Sequence, residues 1–95
     1  MAERHFESLR VWQNARIFVN AVYDMMADNK DWGFRGQIQR ASVSIMNNIA
    51  EGYESGSDAK YANFLNIARG VAQRFATCFI CARIDISVLR SNLLT

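Results

Sequence analysis

A chain of 95 residues makes one small domain. Half of it is hydrophobic, with no proline and only five glycines, which excludes a disordered tail and an all-β protein punctuated by turns. The formal net charge is +2, and nine of the eleven basic residues are Arg, whose fork-shaped head suits phosphate and carboxylate, so nucleic-acid contact is allowed but not demanded.

The N-terminal stretch MAERHFESLR is charged and lacks the apolar segment of a signal peptide. No stretch approaches the roughly 20 apolar residues of a membrane span, so the expected setting is cytoplasmic and reduced, with no membrane partner. Helix one is predicted from about Ser8, as N-cap, to Ala27. Its apolar face is Val11, Trp12, Ala15, Phe18, Val19, Val22, Met25 and Met26. Residues Asp28 to Asp31 form a polar connection. Trp32 and Phe34 flank Gly33 and are expected to plug the end of the core.

Helix two is predicted from Phe34 to Glu51, with Gly52 as a left-handed C′ residue. Phe34, Ile38, Ala41, Ile45 and Ile49 recur at steps of four, three, four and four, which makes one apolar stripe. Gln37, Arg40, Ser44, Asn47 and Glu51 make a second stripe that is wholly polar, and Asn48 adjoins it. An ordinary solvated helix face is mostly Lys, Glu and Ala. An ordered row of hydrogen-bonding groups points to a contact surface against a neighbouring helix, another subunit or a ligand. The alternative is a solvated face that is rich in Asn.

Tyr53 to Gly56 is the next turn. Ser57 caps helix three, and Asp58 in its first turn suits the helix dipole. Tyr61, Phe64, Leu65, Ala68, Ala72, Phe75 and Phe79 carry its apolar face. Residues 84 to 94 are apolar but poorly periodic. Short polar connections between long helices imply antiparallel neighbours, so the expected fold is an all-α, antiparallel up-down bundle in a single domain. Three helices are clear, and the chain stops too soon for a full-length fourth.

Catalytic chemistry is not assembled. Ser44 and Ser57 have no His nearby in sequence, and the one histidine, His5, lies in a segment expected to fray. The carboxylates Glu51, Glu54 and Asp58 cluster near a turn, where capping and solvation explain them better than a cation would. Cys78 and Cys81 form a C-x-x-C, half of a zinc site at best, and no βαβ context supports a redox pair. They read as small buried hydrophobes. No enzyme activity, cofactor or metal is expected. A core this thin calls for disulfides, metal or oligomerisation, and the last is favoured.

Three blocks then resemble a known family. Phe6, Leu9, Val11, Trp12, Gln13 and Ala15 follow the pattern F-x-x-L-x-V-W-Q-x-A. Gln37, Arg40, Ala41, Ser44, Ile45, Asn48, Ile49, Ala50, Glu51 and Gly52 follow Q-x-x-R-A-x-x-S-I-x-x-N-I-A-E-G. Phe64, Leu65, Ile67, Ala68, Arg69 and Gly70 follow F-L-x-I-A-R-G. Over residues 6 to 70 the chain resembles the bacterial four-helix bundle proteins encoded in intervening sequences of the 23S ribosomal RNA gene. The resemblance implies an antiparallel four-helix bundle and a ring-shaped homopentamer. It also implies similarity to the accessory protein of diversity-generating retroelements, a basic pentamer that binds nucleic acid and a reverse transcriptase. The expected role is a non-enzymatic oligomeric scaffold with RNA, DNA or a protein as partner. The alternative is a structural or protein-interaction module without RNA binding of its own.

The motif pattern breaks after Gly70. Residues 1 to 70 hold eight basic and eight acidic groups, so the whole excess charge lies in residues 71 to 95, with Arg74, Arg83 and Arg90 against Asp85. Reading codons 72 to 86 from their third base allows A-E-V-R-N-M-L-Y-L-C-E-D-R-Y-I, which is family-like. The expectation is a frameshift near codons 70 to 72, leaving a truncated bundle.

Overall fold

The computed structural model describes residues 5 to 87, 89 and 93. All regular structure among them is helical, with no strand. A 3-10 turn at His5–Ser8 leads into α1 (Arg10–Met26). The helix starts later than the Ser8 cap predicts: Leu9 occupies the N-cap position and offers no side-chain acceptor. Instead, the turn folds onto the helix. Phe6 is buried, its ring 5.2 Å from that of Trp12 in an edge-on pair at 71°. Gln13 Nε2 donates to the Glu7 carbonyl at 3.0 Å. Trp12 is therefore only half-buried, lying against the rim of the core and not inside it.

The second helix, α2 (Trp32–Glu54), is longer at both ends than its apolar stripe. Asp31 caps it, accepting from the Phe34 amide at 3.2 Å, and Asn29 in turn accepts from the Asp31 amide at 2.8 Å. Trp32 does not plug the core. It is 69% exposed, with the Arg35 guanidinium 5.2 Å above its ring. Phe34 alone packs against the core. The stripe Ile38, Ala41, Ile45 and Ile49 is buried as the spacing requires. Ser42 is buried beside it, and its hydroxyl donates to the Gln39 carbonyl at 2.9 Å, which satisfies the group within its own helix.

Gly52 does not end α2. It lies inside the helix and is buried, because α3 crosses there: a Cβ on Gly52 would stand 2.6 Å from the Phe64 Cβ. The left-handed residue is Gly56, with φ +79°. Ser57 caps α3 (Asp58–Arg74) as predicted, accepting from the Lys60 amide at 3.3 Å, with Asp58 in the first turn. The third helix does not run on through Phe79. Phe75 leaves helical geometry, and a short α4 (Ala76–Cys81) follows.

A Schellman-type stop ends α4. The Ile84 amide donates to the Phe79 carbonyl at 2.9 Å and the Arg83 amide to the Ile80 carbonyl at 2.9 Å. Arg83 takes the left-handed position at φ 63°, where glycine is usual. Beyond it Ser87, Leu89 and Leu93 have helical backbone.

The core sits around α2, which packs against both α1 and α3. Phe18 of α1 meets Phe79 of α4 edge-on, ring centres 4.8 Å apart. Ala82, Ile84, Ile86, Leu89 and Leu93 are buried in the same cluster, so the segment after Gly70 contributes to the core despite its weak periodicity. Cover is not complete on α1. Ile17 is 66% and Met25 48% exposed; the latter departs from its predicted core position.

Candidate functional site

The polar stripe of α2 lines a concavity. Arg40, Ser44, Asn47, Asn48 and Glu51 border a groove of about 430 Å³, and Val43 of α2 and Tyr23 of α1 complete its lining. Gln37 is exposed at the same stripe but outside the groove. Five of the six predicted contact residues thus share one surface feature.

Helix geometry explains the layout. Steps of three and four residues keep Arg40, Ser44, Asn47 and Glu51 on one side of α2, while burial of Ile38, Ile45 and Ile49 fixes which side. Arg40 and Glu51 are eleven residues apart, so about 16 Å separates them along the axis and they cannot neutralise each other directly. Among the described residues, the side chains of Arg40, Asn47 and Glu51 have no hydrogen bond or ion pair. Gly36 leaves room for Arg40, since a Cβ there would stand 3.0 Å from a terminal guanidinium nitrogen.

Asn48 differs from its neighbours. It is half-buried, and its Nδ2 donates to the Ser44 carbonyl at 2.8 Å and to the Ser44 Oγ at 3.3 Å. That fixes the amide and leaves its oxygen as an acceptor. Asn47 is exposed and keeps both donor and acceptor. Tyr23 is absent from the stripe read in the sequence. A signal was available: Arg16, Asn20 and Tyr23 follow one another at steps of four and three on α1, which marks a second polar line.

Residues 7–91 match the family model of the 23S rRNA-intervening sequence protein. The chain belongs to that family. The matched span includes residues 71 to 91, beyond the motif blocks that stop at Gly70. Neither the curated proteins nor the solved structures yield a match.

In this 23S rRNA-intervening sequence protein a second concavity is apolar. Ile17, Phe18, Ala21 and Met25 of α1 face Ile84 and Leu89 across about 490 Å³, with Asn14, Arg83 and Asp85 at the edge. The exposed Asp85 carboxylate is held below its ordinary pKa, first by a hydrogen bond from the Ser87 amide. The cysteines are not both buried as expected: Cys78 is half-buried and Cys81 is exposed, because α4 presents one edge to solvent. Among the described residues no group of three His, Cys, Asp or Glu side chains could hold a metal ion. Among the same residues no helix is long and apolar enough to cross a membrane.

Proposed function

We propose that the chain is a cytoplasmic, non-enzymatic helical-bundle scaffold that assembles with copies of itself and contacts nucleic acid or a ribonucleoprotein. The observation that carries this reading is the groove: four residues of one sequence stripe, the adjoining Asn48 and Tyr23 converge on it, and Arg40, Asn47 and Glu51 have no partner among the described residues. Short connections between α1, α2 and α3 support an antiparallel up-down arrangement. Exposed Ile17, Met25 and Ile80 support self-association, since apolar side chains left at the surface of so small a domain favour burial between subunits. The family supplies the association with the 23S rRNA gene.

A protein-only interaction module is the second reading. The balance of eight basic and eight acidic groups in residues 1 to 70 favours it, because phosphate-driven binding needs several cations on one face.

The test pairs sedimentation velocity with retention of a folded 23S rRNA fragment. The expected result is an oligomer that retains the fragment, and an Arg40→Ala variant that sediments unchanged but retains less. A monomer at every concentration that retains no RNA would overturn the proposal.

A further inference from the structure

The balance of charge in the groove narrows what it can hold. Arg40 is its one cation and Glu51 its one carboxylate, set about 16 Å apart along α2. A strand followed by its phosphates would meet one attractive and one repulsive end, whereas phosphate tracking requires several cations on one face. The groups left over are of another kind. Asn47 offers a donor and an acceptor side by side, and Asn48 an acceptor held in place by its bonds to Ser44, while the Arg40 head lies back over Gly36 at the far end. Tyr23 presents a ring that is 46% exposed across from them.

This set matches a nucleobase. An amide such as that of Asn47 pairs in two bonds with the N6–N7 edge of adenine. An unpaired base also has a face to lay on an aromatic ring. Paired RNA is excluded by shape, because the deep, narrow major groove of an A-form helix hides those edges from side chains. A docked protein helix would instead seek apolar holes for its side chains, and Val43 is the one aliphatic residue lining the groove.

We propose that the groove between Tyr23 and Asn47 takes an unpaired purine of a single-stranded nucleic acid, its edge on Asn47 and its face on Tyr23, and not held by phosphate. The inference rests on the nucleic-acid reading above and sharpens it to one chemical class.

Fluorescence anisotropy of labelled octamers with the full chain tests it. Purine r(AG)4 should bind about tenfold tighter than pyrimidine r(UC)4, the discrimination of one bidentate base pair. The base edges are the same in DNA, so d(AG)4 should bind within about threefold of r(AG)4. Asn47→Ala and Tyr23→Ala should each weaken r(AG)4 binding about tenfold, with unchanged helical circular dichroism. Asn47 is exposed and Ala is the better helix former, so unfolding does not explain a loss at that position. The salt dependence should be shallow, a log–log slope smaller in size than the about −0.7 that one neutralised phosphate adds. Equal binding of r(AG)4 and r(UC)4, a strict requirement for RNA, a slope several times steeper, or full binding by Asn47→Ala would each overturn the proposal. If the folded 23S rRNA fragment is still retained through Arg40 in that case, base readout fails alone. If no nucleic acid is retained, the broader reading fails with it.

Discussion

Adding one methyl group at Gly52 and one at Gly70 should change stability in opposite directions. Both glycines lie inside α-helices, where Ala is favoured over Gly by about 1 kcal/mol. At Gly70 nothing lies within 4 Å of the added Cβ, so Gly70→Ala should keep most of that gain. At Gly52 the Cβ would meet the Phe64 Cβ at 2.6 Å, with Phe64 Cγ and Tyr61 Cδ1 both at 3.2 Å. A Cβ is tied to its backbone, so rotating the Phe64 ring does not relieve the closest contact. The helices α2 and α3 must separate, at an overpacking cost near the upper end of about 1–3 kcal/mol. Subtracting the propensity gain leaves Gly52→Ala less stable by about 1–2 kcal/mol. In a chain of this size that lowers the melting temperature by about 4–16 °C. Urea unfolding followed by helical circular dichroism measures both variants. A Gly52→Ala protein as stable as the parent would refute the close crossing of α2 and α3.

Ile45 is fully buried, so Ile45→Ala should cost about 2–5 kcal/mol, while Trp12→Ala at the half-buried rim should cost less; the same urea experiment checks both. Arg83 holds a left-handed conformation without being glycine, so Arg83→Gly should raise stability by about 1 kcal/mol, read as a shift in the urea midpoint. Burial, and then the neighbouring Tyr53, hold the Tyr61 phenol above its ordinary value of 10.0. The unfolded chain therefore loses that proton first. The resulting stability is present below pH 10.0 and is lost as pH rises through the folded value, so Tyr61→Phe should flatten the alkaline limb of a stability–pH profile. Genomic DNA tests the frame after Gly70: bases in codons 72 to 86 that cannot encode the alternative string would rule out a frameshift. If the shift is real, the restored frame should yield a more soluble and more stable protein.

Local chemistry made much of this protein legible without a structure. The helical period placed Ile38, Ala41, Ile45 and Ile49 on the buried side of α2 because side chains spaced by three or four residues must share a face. It aligned Arg40, Ser44, Asn47 and Glu51 for the same reason. Ser57 was readable as a cap because its hydroxyl needs only a backbone amide three residues on. Three of the misreadings involve distant parts of the chain. Gly52 looked like a helix terminator, yet its lack of a Cβ serves the approach of Phe64. Trp32 looked like a core residue, yet the α1–α2 connection leaves it outside beneath Arg35. Residues 84 to 94 lacked a clear period, yet Ile84, Ile86, Leu89 and Leu93 are buried in one cluster with Phe18 and Phe79, beyond the stop at Arg83. Which side of a helix is apolar is a property of spacing. What lies opposite that side, including Tyr23 across from Asn47, depends on how helices cross, and only the tertiary structure decides that.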